Sequence, residues 1–541
     1  MLRLAWFTPL PPSRSGIAAY SAELLPLLSA RYRIDAFIDP AAPAPQVDPG
    51  VPVFPSRDFL WRHGNQPYDL VVYQLGNATC HDYMWPYLVR FPGLVVLHDG
   101  QLHQSRSKAL LTSRRRDDYR AEFAFCHPDA NPGIAEIVIA ALGGSLYFLW
   151  PMLRVPIESS RLVACHSPWL AAQLRSQFAH QEFRVIEMGV GDLTSDLGPR
   201  TATLHPWDRR SLDRWQDAGR LTSDLGPRTA TLHPWDRRSL DRWQDASAIR
   251  SRHLIPAGRI VFAAYGMLTP EKRLTQIFRA LRSVLPYAPD AHVLLVGQAV
   301  DYYDVEADAR AIGVADRVTV TGYVTDEELP AYLAAADVCL CLRWPTSRET
   351  SASWLRCLAA GKPTVITDLV HTTSVPALDP RTWTALEADP RTSDIGHRTP
   401  DVGPGTATLH PWDRRSLDRW QDTGPLTSDL GLRTSDDDPV CIAIDIVDEQ
   451  HSLGLAMRRL ARDEPLRDEL GRRAREYWAR HHTPERMADD YRQAIEAAIC
   501  RPAPDRSHLP AHLLPDGTDL IRSTLDQFGL SMEALDWGGE R

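Results

Sequence analysis

A polar turn at residues 346–353 carries the densest set of groups that could bind a ligand. It holds the carboxylate of Glu349 and the hydroxyls of Thr350, Ser351 and Ser353. These groups can hydrogen-bond to a polar ligand, and the amides at a helix start can hold a phosphate. The plainer interpretation is that Glu349 only complements the dipole of the helix that follows.

The segments on either side place this turn in a βαβ unit. Residues 338–342 predict a strand, residues 354–360 a helix and residues 364–366 a second strand. Gly361, followed two residues later by Pro363, is typical of a helix end. Open α/β sheets bind ligands beyond the carboxyl ends of their strands. The turn is therefore predicted to lie at a ligand site.

A glycine and a lysine bound a second candidate loop, GMLTPEK, at residues 266–272. The loop follows the predicted strand 260–264 and opens an amphipathic helix. Gly266 lets the backbone turn sharply. Lys272, close to the helix start, can meet a diphosphate as a point charge. Alone the loop is a weak signal, because a lysine after a strand is usually just solvated.

Two loops in the first part of the chain complete the candidates. Residues 11–16, PPSRSG, lead into the predicted helix 17–28 and can approach a phosphate or sugar closely, unless they are an ordinary connector. His98 follows the predicted strand 94–97, at the edge of the sheet where ligands bind. A histidine with purely structural hydrogen bonds is the alternative. His103 and His166 are weaker candidates of the same kind.

Identical copies of one segment interrupt the chain at two places. Residues 193–218 and 221–246 are the same, and residues 406–422 repeat their central part. Solenoid repeats stack in tandem, whereas these copies are far apart. We interpret them as insertions in two surface loops, at residues 191–247 and 391–437. An interaction platform is the alternative, since six of the sixteen tryptophans lie in the copies.

Outside the repeats, apolar strands alternate with amphipathic helices along a chain of 541 residues. That length favours two domains, and the alternation is typical of α/β proteins with parallel, doubly wound sheets. The predicted strands cover residues 2–7, 34–37, 70–73, 94–97, 162–164 and 185–186, and then 260–264, 291–296, 318–321, 338–342, 364–366 and 443–446. The predicted domains are an N-terminal domain at 1–190, a C-terminal domain at 248–390 and 438–500, and a tail at 501–541.

The composition excludes several classes of function. With a net charge of −9, the chain lacks the excess of basic residues that is typical of nucleic-acid-binding proteins. The eight cysteines include no CxxC pair, so neither a disulfide framework nor a zinc site is expected. The N-terminus is too polar for a signal peptide. Residues 137–155 contain glycines and a proline, and they predict a buried helix or helical hairpin rather than a membrane span. A cytoplasmic protein is expected, with peripheral contact at the inner face of the membrane left open.

The order and spacing of these motifs resemble those of the family-4 retaining glycosyltransferases of GT-B fold. The resemblance covers nearly all of the chain outside the repeats. It implies two facing Rossmann-like doubly wound domains with a central cleft, the nucleotide-sugar in the C-terminal domain and the acceptor in the N-terminal one. The matching stretches are FTPLPPSRSGIAAYSAELL (7–25), LVVLHDGQLH (94–103), LVACHS (162–167), VIEMGVGD (185–192), YGMLTPEKRLTQIFRAL (265–281), TGYVTDEELPAYLAAADVCLCLRWP (321–345) and RETSASWLRCLAAGKPTVITD (348–368).

The resemblance also implies roles for individual residues. Gly16 would belong to a glycine loop near the donor phosphates and the acceptor. His98 would sit near the transferring sugar. Glu349, together with Thr350 and Ser351, would hold the sugar hydroxyls and a phosphate.

Two positions depart from the family pattern, one at the diphosphate and one at the ribose. Lys272 matches the lysine that binds the diphosphate. Family members usually place an arginine directly after the glycine at Gly266, but this chain has Met267. Arg273 is the candidate to supply the missing cation. Family members usually carry a second glutamate that binds the ribose, but this chain has Arg356 at that position.

These observations predict a metal-independent retaining hexosyltransferase. It would need no cofactor and would use a UDP- or GDP-linked nucleotide-diphosphate sugar as donor. The acceptor would be a growing polysaccharide or a lipid-linked oligosaccharide, and the resemblance implies that the departing phosphate takes the acceptor proton. Three alternatives stay open: a non-catalytic GT-B relic that binds sugar nucleotides or glycans, an interaction protein acting through the tryptophan-rich repeats, and a GT-B sugar-nucleotide epimerase.

Overall fold

The computed structural model describes residues 1–13, 15–43, 45, 49–192, 246–372, 374–386, 438–514, 521, 524–525 and 527–530. The repeat copies lie outside these residues, apart from the last residue of the second copy. Their interpretation as surface insertions therefore stays a prediction.

The contacts within the chain divide it into two compact units. Unit 1 comprises Met1–Asp192, Trp344–Arg356 and Trp478–Arg541, and unit 2 comprises Leu193–Arg343 and Cys357–Tyr477. The polar turn thus packs with the N-terminal part of the chain, although it follows a strand of unit 2. The domain boundaries given above stay a prediction.

The strands of unit 1 form a parallel seven-stranded sheet in the order β3-β2-β1-β4-β5-β6-β7. The order reverses direction between β1 and β4, and a parallel sheet binds ligands at such a switch point. All residues of β1, β4, β5 and β6 are buried, as expected for strands covered on both faces. From β1 to β7 the strands are Arg3–Phe7, Arg33–Ile38, Val53–Pro55, Leu70–Leu75, Leu94–Leu97, Leu162–Cys165 and Phe183–Val185.

Helices cover this sheet and bury an aromatic-rich core. The rings of Phe7 and Phe37, from adjacent strands, stack with centroids 5.2 Å apart. From α1 to α8 the helices are Gly16–Ser29, Phe59–Asn65, Trp85–Arg90, His103–Thr112, Arg116–Cys126, Gly133–Ile139, Arg154–Glu158 and Pro168–Gln177. A C-terminal helix, Pro484–Ile499, also belongs to unit 1 and is called α15 below.

The strands of unit 2 form a second parallel seven-stranded sheet, in the order β10-β9-β8-β11-β12-β14-β13. Here the switch point lies between β8 and β11. From β8 to β14 the strands are Ile260–Tyr265, Ala291–Val296, Val318–Val320, Val338–Cys341, Thr364–Asp368, Ala377–Leu378 and Cys441–Asp445. From α9 to α14 the helices are Leu274–Val284, Val305–Ile312, Leu329–Ala335, Ala352–Ala359, Glu449–Leu460 and Glu464–His481.

The two parallel sheets with their helices confirm the predicted α/β class and the doubly wound topology. Two short strands, β3 and β13, were not predicted. Residues 137–155 do not form one buried helix, because α6 ends at Ile139 and a short 3₁₀ turn separates it from α7. Leu142 and Leu149 in this stretch are exposed. Among the described residues, no helix combines the length and apolar character needed to cross a bilayer.

Candidate functional site

Two histidines meet at the carboxyl edge of the unit 1 sheet. His98 follows β5 and His166 follows β6, and these strands are paired neighbours. His166 Nε2 lies 3.2 Å from His98 Nδ1. The carbonyl of Ile186 lies 2.8 Å from His166 Nδ1, and Gln74 Oε1 lies 2.7 Å from His98 Nε2. Both imidazole rings are almost completely buried.

The order of these contacts determines where the protons lie. A carbonyl only accepts, so His166 donates from Nδ1 to Ile186 and accepts at Nε2. His98 must then donate from Nδ1. Burial, followed by the neighbouring histidines, lowers the pKa of His98 well below its usual value, so this ring is neutral at neutral pH. A neutral His98 presents a bare Nε2, and the Gln74 amide must therefore turn its NH₂ group towards it.

Two tyrosines enclose this histidine pair. The Tyr20 ring stands edge-on to His98, with centroids 4.8 Å apart at an angle of 89°. Its hydroxyl donates to Tyr491 at 2.8 Å, and the Tyr491 hydroxyl lies 3.0 Å from Gln74 Oε1. Tyr491 comes from α15, so the C-terminal helix helps to fix the ring of His98.

The polar turn is seated against the loops that follow β5 and β6. The Ser347 carbonyl accepts from the Gly100 amide at 2.5 Å, and its hydroxyl accepts from Gln101 Nε2 at 3.1 Å. The Thr350 hydroxyl donates to the His166 carbonyl at 3.2 Å. The structure therefore brings Thr350 next to the histidine pair within unit 1.

Local hydrogen bonds order the rest of the turn. The Thr346 hydroxyl donates to Glu349 Oε2 at 2.9 Å. The Ser351 hydroxyl accepts from the amide of Trp354 at 3.3 Å, in the first turn of α12. Ser351 thus satisfies an amide at a helix start, which is a structural role that the sequence interpretation did not assign.

Gly16 is the first residue of α1, which Ser15 caps by accepting from the amide of Ile17 at 3.2 Å. A Cβ atom placed on Gly16 would meet nothing within 4 Å. Neither packing nor a left-handed backbone requires glycine here. Gly76, after β4, is different, because a Cβ atom there would lie 2.4 Å from Ile17 Cδ1. Gly76 therefore allows α1 to pack closely against the end of β4, beside the switch point of the sheet. The sequence analysis did not identify this residue.

The second candidate loop follows β8 in unit 2. Gly266 adopts φ 87°, a left-handed conformation that favours glycine. Its carbonyl approaches Gly297 so closely that a Cβ atom there would lie 2.1 Å away. The Lys272 ammonium donates to the carbonyl of Tyr265, at the end of β8, at 2.5 Å. Lys272 is therefore held at the carboxyl edge of this sheet.

Arg273 and Arg356 are the two arginines that concern the departures from the family pattern. Each of them forms an ion pair with a glutamate. Arg273 Nε donates to Glu449 Oε1 at 2.8 Å, and a second bond joins Nη2 to Oε2. Arg273 was expected to replace the arginine that is missing at Met267, but this bidentate ion pair balances its charge. In unit 1, Arg356 Nη2 lies 3.3 Å from a carboxylate oxygen of Glu23.

The described residues contain no group of three or more histidine, cysteine, aspartate or glutamate side chains that could hold a metal ion. A cavity of about 370 Å³ in unit 1 lies between β7 and α15. None of the predicted site residues lines it.

Comparison with known proteins connects this geometry to one fold. Residues 259–382, which run from β8 beyond β13 and include Lys272 and the polar turn, match the family described as glycosyl transferases group 1. No curated protein matches the chain.

Solved structures resemble the whole architecture at low sequence identity. Sucrose-phosphate synthase from Thermosynechococcus elongatus is 15% identical, with a TM-score of 0.52, and the match covers 92% of this chain and all of that one. HepE from Anabaena, solved with UDP and glucose, is 12% identical over 92% of this chain and all of its own, with a TM-score of 0.51. A glycosyltransferase from Rickettsia africae is 9% identical over 92% and 99% of the two chains, also with a TM-score of 0.51.

The fold is GT-B. The match of residues 259–382 to the glycosyl transferases group 1 supports a glycosyltransferase of this fold.

Proposed function

We propose that this protein is a retaining, metal-independent glycosyltransferase of family 4. It transfers a hexose from a UDP- or GDP-linked nucleotide-diphosphate sugar to a glycan or lipid-linked acceptor in polysaccharide biosynthesis. We place it in the cytoplasm, with its acceptor in solution or at the inner face of the membrane.

The match of residues 259–382 to the glycosyl transferases group 1 carries this proposal. It covers the switch strands β8 and β11 of unit 2, and both are followed by candidate residues. Lys272 follows β8, and Glu349 lies in the turn after β11. A nucleotide-diphosphate group brings two negative charges to such an edge, and a fixed ammonium is a suitable partner for them.

In this proposal the protein stabilises charge and positions groups. The leaving diphosphate gains negative charge as the glycosidic bond breaks, and Lys272 stabilises that charge. Gly266 allows the backbone to turn beside the phosphates, and Gly16 leaves space for close approach of a ligand. Glu349 accepts hydrogen bonds from sugar hydroxyls.

Thr350 and Ser351 complete the sugar and phosphate contacts. Arg273 is proposed to add positive potential beside the diphosphate, although Glu449 offsets most of its charge. The departing phosphate takes the proton of the acceptor hydroxyl, so no separate base is needed.

His98 requires one exchange of partners to act on a sugar. Both of its nitrogens are engaged, Nδ1 with His166 and Nε2 with Gln74. A sugar hydroxyl could replace the Gln74 amide and donate to the bare Nε2. We therefore propose that His98 orients the sugar as a neutral acceptor rather than as an acid.

The test is a thermal-shift screen against UDP-, GDP- and ADP-linked sugars, followed by an assay of nucleotide release. A ligand at a hundred times its Kd adds about 2.7 kcal/mol to the apparent stability. Lys272→Ala should abolish most of that shift and slow nucleotide release about a hundredfold. Lys108→Ala, which removes an exposed lysine on α4, is the matched control. If none of the donors raises the melting temperature, the transferase proposal fails.

A protein that binds donors without turning them over is the second candidate. It is favoured by the ion pair of Arg273 with Glu449 and by the absence of a cation at Met267. Stabilisation by a donor without any release of nucleotide, in the wild-type protein and with every acceptor tried, would favour this candidate.

A further inference from the structure

Arg348 occupies a fixed position in the polar turn. Its backbone adopts φ 60°, a left-handed conformation that residues with a side chain rarely adopt. Its amide donates to the Thr346 hydroxyl at 3.0 Å, and the preceding carbonyl, of Ser347, accepts from Gly100. The backbone of the turn therefore fixes the position from which the Arg348 side chain extends.

Neutral groups surround the half-buried guanidinium. Arg348 Nη1 donates to Gln173 Oε1 at 2.9 Å, and Cζ lies 5.5 Å from the ring centroid of Trp169. Both partners are on α8. Burial lowers the pKa of Arg348, and among the described residues no carboxylate forms an ion pair with it.

Other buried arginines of unit 1 do have carboxylate partners. Arg3 pairs with Asp35 at 2.9 Å, and Arg106 pairs with Glu122. Removing a cation from water is costly unless an anion compensates it. The desolvated charge of Arg348, by contrast, is left for an anion from outside the described chain.

The position of this charge indicates what kind of ligand would bring the anion. Gly100 follows β5 and α8 follows β6, so Arg348 lies at the carboxyl edge of the unit 1 sheet. Thr350, two residues further on, bonds to the His166 carbonyl at the same edge. The resemblance to the glycosyltransferases implies that the N-terminal domain takes the acceptor, and residues 1–190 of that domain belong to this unit.

We propose that Arg348, supported by Gln173 and Trp169, binds an anionic group on the acceptor. The inference rests on the proposed function. A planar guanidinium matches the two oxygens of a carboxylate or a phosphate, and a lysine does not reproduce that fork. The acceptor is therefore an acidic glycan, bearing either a uronate carboxylate or a phosphate, rather than a neutral one.

Direct binding of small probes tests this site in the full-length protein. Glucuronate, glucose 1-phosphate and glucose are titrated at low salt and followed by ligand-observed NMR or calorimetry. At least one of the charged probes should bind saturably and more tightly than glucose. Preference for glucuronate assigns a uronate acceptor, and preference for glucose 1-phosphate assigns a phosphorylated one. Added salt should weaken the binding.

Variants identify the arginine that is responsible. Arg348→Gln should weaken binding of the charged probe about tenfold or more, because a charge-assisted contact is lost. Arg348→Lys should restore part of it. Arg175→Gln removes an exposed arginine from α8 and should leave binding unchanged. Melting temperatures measured in parallel show that each variant is folded.

Three outcomes overturn the inference. The first is that the charged probes bind no more tightly than glucose, and the second is that Arg348→Gln binds them as tightly as the wild type. A third is that Arg348→Gln loses stabilisation by the donor nucleotide and retains binding of the charged probes, which would assign Arg348 to the donor diphosphate. Failure of the proposed function looks different, because charged probes would still bind while no donor stabilises the protein.

Discussion

Substituting Gly100 by alanine should displace the polar turn from its packed position in unit 1. A Cβ atom at this position would lie 2.8 Å from the Ser347 carbonyl oxygen and 3.0 Å from Arg348 Cβ. Real Cβ atoms essentially never approach another heavy atom more closely than 3.0 Å. The first contact is to backbone, which cannot rotate away as the end of a side chain can. Either the turn or the loop after β5 must therefore move.

The expected magnitude follows from the bonds that such a movement would break. Inserting a methyl group into a well-packed contact costs about 1–3 kcal/mol. The Gly100 amide bond to Ser347 would be lost, at about 1 kcal/mol. The left-handed region is not involved, since Gly100 has no positive φ. We expect Gly100→Ala to lower the free energy of unfolding by about 1–3 kcal/mol.

Urea denaturation measures this change, and Gly64→Ala is the matched control. Gly64 lies in α2 of the same unit, and a Cβ atom there would meet nothing within 4 Å. In a helix, alanine is favoured over glycine by up to about 1 kcal/mol, so this control should be as stable as the wild type or slightly more stable.

The same substitution should reduce nucleotide release in the presence of donor and acceptor. A displacement of about 1 Å in a positioning element can cost about a hundredfold in rate. Glu349 and Thr350 would both be displaced. If Gly100→Ala unfolds at the same urea concentration as Gly64→Ala and turns over donor normally, then the polar turn does not pack against Gly100 as the structure indicates.

Three further predictions concern charged and titrating groups. Replacing Arg273 by glutamine should lower stability, because Glu449 is buried and would lose its cation; the double variant Arg273→Gln with Glu449→Gln should recover part of the loss in urea denaturation. Burial opposes ionisation of Glu122, but Arg106 overcomes it and holds the pKa of Glu122 at about 2, below the usual 4.5. That carboxylate therefore contributes stability above pH 4.5 that is lost as the pH falls towards 2, and Glu122→Gln should flatten this part of a stability–pH curve. Burial lowers the pKa of His166 to about 4 from 6.5, so its neutral form stabilises the fold above pH 6.5 and this contribution falls by up to about 1.4 kcal/mol per pH unit towards pH 4. His166→Asn should reduce that slope, and an unchanged slope would show that His166 is not buried as a neutral ring.

Much of the fold could be predicted because parallel strands leave a strong pattern in the sequence. Strands such as β4 and β9 are buried along their whole length, and most of their residues are apolar. β3 and β13 have three and two residues, which is too few for a pattern. Their existence depends on pairing with β2 and β14, which are selected by the tertiary fold.

The candidate site was predicted only in part. The loops after β5, β8 and β11 could be recognised because polar residues follow apolar runs there. Gln74 and Tyr491 were missed, because nothing in the local sequence separates a buried glutamine in a strand or a tyrosine on a C-terminal helix from ordinary core residues. Arg348 was passed over as one polar residue of a turn.

The α/β class, the parallel sheets and the loops that carry polar groups could all be predicted from the sequence. These properties depend on local periodicity and on the glycines and prolines between segments, which are legible in one chain. Two features became visible only in the fold: Tyr491 completes the hydrogen-bond network around His98, and the polar turn packs with unit 1. Such contacts join residues hundreds of positions apart, and packing and hydrogen bonding select them among many arrangements that the same pattern allows.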